Sequence, residues 1–202
     1  MSEKEIEILL HPFLLEGAVL PAPLYGQLAH YLELLLKWNA RTNLTAIRDP
    51  EEMVRRHFGE SLFAAQHLGP CETLLDFGSG AGFPGLPIQL MRPEISITLA
   101  ESQNKKATFL REVIRTLGLK TEIWSGRVEA MPVELKFDIV TLRAVDNMDA
   151  AIAAASVKAG KRMLLLTTLN SAPKEIPGFS AEPGIALPGA NAQQLLSFLR
   201  TQ

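Results

Sequence analysis

The 202-residue sequence contains few of the residues that build disulfide or metal frameworks. Its single cysteine, Cys71, excludes an internal disulfide and a cysteine-rich metal site. Four histidines, His11, His30, His57 and His67, are scattered without the i, i+4 spacing of a helical metal-binding pair. We therefore expect a protein without a bound metal.

Long hydrophobic runs are also lacking, since none approaches the roughly 18 apolar residues of a transmembrane helix. The first five residues lack the basic start and apolar core of a signal peptide. These features predict a cytoplasmic protein that does not contact membranes. The net charge of −2 shows no excess of basic residues, although a local basic cluster can bind nucleic acid within a nearly neutral total.

Residues 1–70 are predicted to be mainly helical. A capping box over residues 2–5 precedes an amphipathic segment, and apolar residues recur at helical spacing over 24–38. Residues 39–49 are polar and predict a loop. Pro50 suits the first turn of a further short helix. We interpret this part of the chain as an N-terminal helical extension.

After residue 70 the pattern changes to short apolar runs that alternate with helical segments. This alternation is typical of a parallel sheet covered by helices on both faces. The predicted strands span 74–77, 95–99, 121–124, 137–142 and 163–167, and the predicted helices include 105–117 and 150–155. We therefore predict an α/β core over residues 71–202, packed with the extension as one globular unit.

The tail of the chain is harder to interpret. Residues 184–187 predict a strand followed by a turn at Pro188 and Gly189. Residues 193–199 fit either a helix capped by Asn191 or a final strand, because their apolar positions follow neither period.

A glycine-rich loop follows the first predicted strand. Gly80-x-Gly82-x-x-Gly85 formally matches the dinucleotide fingerprint, and such a turn can also simply pack a helix against a sheet. Asp76 precedes the loop, and a carboxylate there favours a cationic sulfonium over a pyrophosphate. Glu101 follows the second strand and could accept both ribose hydroxyls of an adenosine. Nicotinamide and sulfonium cofactors share that ribose contact, but the spacing of Asp76 and the glycines favours S-adenosylmethionine.

Several further motifs occur in an order typical of one methyltransferase family. They are Trp38-Asn39, Thr42-Asn43-Leu44-Thr45, Arg56-His57 with Ser61-Leu62, the loop 78–85, Glu101-Ser102 with Lys105-Lys106, Gly126 to Glu129, and Arg143-Ala144-Val145. By these motifs the chain resembles the RsmG family, also called GidB, whose members methylate N7 of a guanine in 16S ribosomal RNA. The resemblance spans residues 38–166.

The resemblance implies a Rossmann-like class I methyltransferase fold, S-adenosylmethionine as cofactor, and 16S rRNA of the 30S subunit as partner. We expect a monomer. The cofactor-binding residues it implies, together with the loop residues, are Asp76, Gly78, Ser79, Gly80, Phe83, Glu101, Val128, Glu129 and Arg143. The candidate RNA contacts are Asn43, Arg56, His57, Lys105 and Lys106.

The chain departs from the family pattern at several positions. The family usually has Asp where Glu60 and Glu101 stand, and commonly a Lys-Gly pair where this chain has Thr167-Thr168. Beyond Arg162 the only basic residues are Lys174 and Arg200. These departures fall where RNA contacts are expected, and they leave two alternatives. One is a methyltransferase of the same fold that acts on a small molecule or a protein. The other is a cofactor-binding assembly factor without activity.

Methylation of guanine N7 asks for no acid or base, because the N7 lone pair is free at neutral pH. We therefore expect proximity and orientation to supply the catalysis, without a dedicated catalytic side chain. Arg143 could position the cofactor or an RNA phosphate, or it could be a solvated arginine. His57 is more typical of a hydrogen-bonded histidine in a buried corner. Cys71 precedes the first strand and is far from its carboxyl end, so a cysteine-dependent methylation route is not expected.

Overall fold

The computed structural model describes residues 1–173, 175–189 and 192–201. The helices are α1 (Glu3–Leu10), α2 (Leu24–Thr42), α3 (Pro50–Met53), α4 (Glu60–Gln66), α5 (Gly85–Met91), α6 (Asn104–Leu117) and α7 (Met148–Lys158). The strands are β1 (Thr73–Phe77), β2 (Ser96–Ala100), β3 (Glu122–Trp124), β4 (Phe137–Arg143), β5 (Ala159–Thr168), β6 (Phe179–Ala181), β7 (Ile185–Ala186) and β8 (Gln193–Arg200).

One sheet carries the fold, with strand order β3-β2-β1-β4-β5-β8-β6 and β7 paired to β8. Strands β1 to β5 are parallel, and β8 runs antiparallel to β5. The predicted Rossmann-like α/β fold is confirmed. Because β2 and β4 lie on opposite sides of β1, the chain order reverses there, and ligands of open parallel sheets bind at the carboxyl ends of such strands.

The capping box at the start of α1 is present, with the Ser2 side chain and the Glu5 side chain each bonded to the other's backbone. The loop predicted from Asn39 begins later, because α2 continues to Thr42. Asn39 is buried, accepts from the backbone N of Thr45 at 2.9 Å and donates to the carbonyl of Ile47 at 3.3 Å. A polar residue at the end of the helix thus orders the loop that follows.

The short helix predicted at Pro50 is the start of a longer helical segment. Asp49 caps α3 by accepting from the backbone N of Glu52. A π-type turn, Val54–Gly59, then joins α3 to α4 without a break. Such turns are frequent at functional sites, and this one carries Arg56 and His57.

The tail forms a strand, which settles the two alternatives for residues 193–199. Strand β8 pairs with β5 over Arg162↔Leu199 to Thr168↔Gln193, and Leu195, Leu196 and Phe198 are buried. A strand covered on both faces shows no alternation, which explains why neither period fitted. The predicted cap Asn191 and the basic residue Lys174 lie outside the described residues.

The core has two parts, one on each face of the sheet. One cluster contains residues of α1, α2, α4, α5 and α6, so the N-terminal helices share it with the helices of the α/β core. The other lies between the sheet and α7. The first cluster therefore buries apolar faces of the N-terminal helices against apolar faces of the α/β core. This burial is the main source of stability for the contact between the two parts of the chain.

Candidate active site

The side chain of Asp76, near the carboxyl end of β1, is fully buried and orders the loop that follows this strand. Its carboxylate accepts from the backbone N of Gly85 at 3.1 Å and from Oγ1 of Thr141 at 2.9 Å. Burial raises the pKa of Asp76 to about 6, against the opposing effect of these hydrogen bonds. This corrects the expectation of a carboxylate facing the ligand, because both oxygens turn inwards to the loop and the neighbouring strand.

Two positions of the loop admit only glycine. Gly82 has φ +91°, and a Cβ there would overlap the hydroxyl of Tyr31. A Cβ at Gly85 would overlap Leu99 and lie 2.7 Å from Asp76 Oδ2. The fingerprint glycines therefore allow the close packing of α5 against β1 and β2, the structural role that the pattern also permitted.

Glu101 is placed at the carboxyl end of β2 by two backbone amides. Its Oε2 accepts from the backbone N of Gly80 at 2.9 Å, and its Oε1 accepts from the backbone N of Gln103 at 2.7 Å. Gly78 beside it is exposed with φ +69°. Ser79 turns inwards, and its Oγ donates to the carbonyl of Asp76 at 3.0 Å. The carboxylate is thus rigidly presented to the cleft next to Gly78.

We call this space the cofactor cleft; its volume is about 380 Å³. The residues that line it come from the carboxyl ends of β1 and β2, from the loops after β1, β2, β3 and β4, and from the first turns of α6 and α7. Those predicted as cofactor residues are Gly78, Glu101, Val128 and Glu129, and the structure adds Lys106, Arg127 and Asp146. Asp146 directly follows the Arg143-Ala144-Val145 motif at the carboxyl end of β4, so its position in the sequence could have identified it.

Phe83 lies outside this cleft, in the aromatic core between the N-terminal helices and the sheet. Its ring stacks on His57 with centroids 4.6 Å apart and on Tyr31 at 5.4 Å. The Tyr31 hydroxyl donates to the carbonyl of Ala81. Phe83 is buried, and its ring holds the loop against the N-terminal helices.

Arg143 also lies outside the cofactor cleft, in a network that joins β4 to the segment around α4. Its Nη2 donates to Glu60 Oε2 at 2.8 Å and to the carbonyl of Arg56 at 2.7 Å. Its side chain is 12% exposed and that of Glu60 is 3% exposed. Arg56 reaches the other oxygen of Glu60 through Nε at 2.7 Å. Arg143 is therefore a buried, paired arginine rather than a solvated one, and it lines a neighbouring cleft.

His57 belongs to the same network and is neutral. Its Nδ1 accepts from Nη1 of Arg143 at 3.2 Å, so the ring proton sits on Nε2 and is donated to Oγ1 of Thr45 at 2.8 Å. Burial, together with the charges of Arg143 and Arg56, lowers the pKa of His57 to about 3. The interpretation of His57 as a buried, hydrogen-bonded histidine agrees with this geometry.

The depressed pKa of His57 makes the stability of the fold depend on pH. The folded ring takes up a proton near pH 3 but the unfolded one near its ordinary value of 6.5, so stability present above pH 6.5 is lost as the pH falls towards 3. We expect this effect to cost about 2 kcal/mol between pH 7 and pH 5. Asp76, whose raised pKa acts in the opposite direction, offsets part of it.

The variant His57→Gln isolates the histidine contribution, because glutamine keeps an acceptor for Arg143 and a donor for Thr45 but does not titrate. Denaturant unfolding at pH 7 and pH 5 should show wild type losing about 2 kcal/mol more than His57→Gln. Equal losses in the two proteins would show that His57 is not held neutral in the folded state.

The remaining RNA candidates occupy different positions. Asn43 ends α2 in the left-handed region, and its Oδ1 accepts from Arg48 at 2.6 Å. Lys105 is exposed on the first turn of α6, and Lys106 lines the cofactor cleft. Arg56 lines a neighbouring cleft instead, together with Gln193 of β8. Gln193 lies in the tail, where the sequence pattern contained no signal that could have identified it.

Helices α2 and α6 pack antiparallel against each other. Trp38 Nε1 donates to Glu112 at 3.0 Å, while Gln27 near the start of α2 donates to the carbonyl of Leu117 at the end of α6. The carboxyl-terminal part of α2 therefore runs along α6 towards the amino-terminal end of α6. We call the exposed residues Lys37, Arg41 and Lys105 at this end the basic edge.

Two absences concern only the described part of the chain. Among residues 1–173, 175–189 and 192–201, no helix has the length and apolar character needed to cross a membrane. Within the same ranges, three or more potential metal ligands do not come together.

A sheet of this order, with a glycine loop after β1 and a carboxylate after β2, defines a protein with the class I methyltransferase fold. Solved structures share it. A magnesium protoporphyrin IX methyltransferase from Synechocystis PCC 6803 with bound SAM aligns with TM-score 0.61 at 12% identity, covering 85% of this chain and 97% of that one. A SAM dependent methyltransferase from Aquifex aeolicus aligns with TM-score 0.61 at 14% identity, covering 79% and 98%.

The chain belongs to the GidB family, described as rRNA small subunit methyltransferase G, whose model matches residues 24–177. The ribosomal RNA small subunit methyltransferase G of Nitrosomonas europaea is 45% identical over 128 residues, which are 62% of this chain and 59% of that protein. Its counterpart in Xanthomonas campestris pv. campestris strain B100 is 43% identical over 140 residues, 69% and 66%. The chain thus spans about three fifths of these curated relatives. The predicted family is confirmed.

Proposed function

We propose that this protein transfers a methyl group from S-adenosylmethionine to N7 of a guanine in 16S rRNA of the small ribosomal subunit. Membership of the rRNA small subunit methyltransferase G family carries the proposal. The cofactor cleft supports it, since Glu101 is held at the carboxyl end of β2 by two backbone amides. The proposed substrate implies action in the cytoplasm, and we propose that the protein acts as a monomer.

The residues of the cofactor cleft fit this cofactor. The Glu101 carboxylate has lone pairs beyond those used by Gly80 and Gln103, so it can accept ribose hydroxyls. Val128 offers an apolar wall for an adenine ring. The carboxylates of Glu101, Glu129 and Asp146 outnumber the cations of Lys106 and Arg127 in the lining, and this excess of negative charge favours a sulfonium and an ammonium group and disfavours the pyrophosphate of a dinucleotide.

S-adenosylmethionine supplies an electrophilic methyl group when bound. The chain then has to hold the guanine in line with that methyl, since N7 has a free lone pair and no proton to lose. His57 agrees with this, because its ring is neutral, buried and bonded at both nitrogens. We therefore infer that the residues around the cleft act by positioning the guanine and the cofactor.

Helix α2 of the N-terminal extension and the start of α6 contribute the proposed RNA surface. The basic edge of Lys37, Arg41 and Lys105 lies at the same end of the molecule as Glu101 and Lys106, because α6 begins just after β2. Phosphates of an RNA strand could therefore contact this edge while a base enters the site. We propose that residues 1–70 and 71–202 act as one unit for this reason, with their shared core fixing the two parts together.

Removing two charges from the basic edge tests this surface. The double variant Arg41→Gln, Lys105→Gln should flatten the dependence of log K on log salt for 30S binding by about 1.5 units, since each lost phosphate contact removes about 0.7–0.9. Cofactor affinity should stay at the wild-type value, because neither residue lines the cofactor cleft.

The matched control is Arg115→Gln, Lys120→Gln, which removes two exposed charges at the opposite end of α6. Its salt slope should equal that of wild type. Equal slopes for the two double variants would remove the basic edge from the RNA interface.

The proposed activity itself is tested with purified protein, S-adenosylmethionine and 30S subunits from cells that lack the gene. The expected product is 7-methylguanosine at one position in 16S rRNA, located by strand cleavage after borohydride and aniline treatment. Transfer to a small molecule or a protein, with none to subunits or precursor RNA, would replace the RNA proposal by another substrate class. Cofactor binding without any transfer would indicate an assembly factor.

A further inference from the structure

A second cleft of about 380 Å³ adjoins the cofactor cleft, and we call it the base cleft. Its volume is in the range of pockets that hold small ligands. Ala144, Val145 and Asp146 line both clefts, so one loop after β4 separates them. Ala144 has φ +49°, a conformation rare for residues with a side chain and concentrated at functional sites.

The walls of the base cleft are apolar on one side and polar on the other. Leu166 and Leu187 are buried and contribute apolar surface. Arg56, Glu60 and Gln193 contribute hydrogen-bonding groups. An aromatic ring with polar edges requires this combination, because its faces need apolar contact and its edge needs partners.

Gln193 is the first residue of β8 and lies outside the stretch 24–177 that matches the family model. With its amide oriented to satisfy both neighbours, it donates to Glu60 Oε1 at 2.5 Å and accepts from Nη2 of Arg56. A primary amide has two N–H groups and two lone pairs, so one of each is left for a ligand. Glu60 and Arg56 thereby hold the amide in one orientation at the wall of the base cleft.

We propose, on the basis of the proposed function, that the base cleft receives the target guanine and that Gln193 binds the base edge turned away from the cofactor cleft. With N7 directed at the cofactor cleft, the N1–H and N2–H donors of guanine lie on the far side of the ring. The free lone pair of the Gln193 amide oxygen accepts one of them. Gln193 is thus a residue that positions and selects the base.

The charges around the base cleft suit the reaction. As the N7 lone pair forms its bond to the methyl carbon, the carbon–sulfur bond breaks and the positive charge passes from sulfur to the guanine ring, with no proton moved. Glu60, which is bonded to Arg56 and Arg143 on its two oxygens, and Asp146 together offset the charges of these two arginines at the wall of the cleft. The cleft therefore does not repel a base that becomes cationic.

Two variants of Gln193 test the proposal. Gln193→Ala removes the amide, and Gln193→Met removes its hydrogen-bonding atoms at similar volume. Both should raise KM for unmodified 30S subunits about tenfold, the scale of one lost hydrogen bond, while the Kd for S-adenosylmethionine stays unchanged. The control Gln194→Ala should behave as wild type, since the Gln194 side chain lies against Gly184 near β7 instead.

A KM within twofold of wild type for both Gln193 variants would overturn the proposal. So would a raised KM in Gln193→Ala alone, because Gln193→Met would then show that volume suffices. Unchanged cofactor affinity and melting temperature show that a variant is folded. If the wild-type protein transfers no methyl group to any RNA, the proposed function has failed. The wild-type assay alone shows this, whereas failure of the Gln193 proposal appears only when the variants are compared with an active wild type.

Discussion

Glu101→Ala is expected to weaken S-adenosylmethionine binding by about 10- to 150-fold, equivalent to about 1.5–3 kcal/mol for hydrogen bonds to a charged group. The carboxylate is buried at the carboxyl end of β2 and held by the backbone N–H groups of Gly80 and Gln103. Its removal takes away the proposed ribose acceptor and also loosens the loop that forms one wall of the cofactor cleft. Calorimetric titration of the purified variant measures the loss directly.

Two further variants show whether the effect is specific. Glu101→Asp keeps the carboxylate type usual in the family and should bind more tightly than Glu101→Ala. Glu122→Ala removes an exposed carboxylate at the start of β3, opposite Thr98 of β2 and outside the lining of the cofactor cleft, and should bind as wild type does. Wild-type affinity in Glu101→Ala would remove Glu101 from the cofactor site.

Arg143→Met is expected to destabilise the fold by about 3–5 kcal/mol, because it leaves a buried carboxylate without one of its cations. Arg143 donates to Glu60, to the carbonyl of Arg56 and to Nδ1 of His57, and all of these lose a partner. The network joins the end of β4 to the N-terminal helices, so the variant weakens the contact between the N-terminal extension and the α/β core. Denaturant unfolding at pH 7 gives the free energy.

Arg127→Met is the matched control, since Arg127 also pairs with a glutamate at 3.1 Å but its side chain is 76% exposed. An exposed pair of this kind contributes about 0–1 kcal/mol. The double variant Glu60→Gln, Arg143→Met should regain part of the stability, because the uncompensated charge is gone. Equal losses for Arg143→Met and Arg127→Met would show that the Arg143 network does not stabilise the fold.

The strands and the cofactor loop could be predicted because their signals are local. Strands β1 to β4 appear as short apolar runs, and their observed bounds differ from the predicted ones by at most one residue at either end. The glycines of the loop and the carboxylate of Glu101 lie beside each other because parallel strands end at the same edge of the sheet. The spacing of apolar residues, the glycines of the turn and the rule that parallel strands end at one edge of the sheet were sufficient to predict these features.

Properties that depend on residues far apart in the chain could not be predicted in this way. Asp76 faces Thr141 and Gly85 rather than a ligand, and Arg143 meets Glu60, 83 residues away. A side chain at the end of a strand can turn to either side of the sheet edge, and the backbone pattern is the same in both cases. Only the partners that pack nearby decide its direction.

The tail shows most clearly the difference between features that local sequence predicts and features that contacts between distant residues decide. Its apolar residues fitted neither a helix nor a strand, because β8 is covered on both faces and pairs with β5. Gln193 reaches Arg56 and Glu60 only through that pairing. Local sequence thus specified the α/β core, the glycine loop and Glu101, whereas the Arg143 network and the base cleft arise where β4, β8 and the N-terminal helices meet. Contacts between distant segments leave no periodic signal in the sequence, since each segment alone satisfies its own pattern without them.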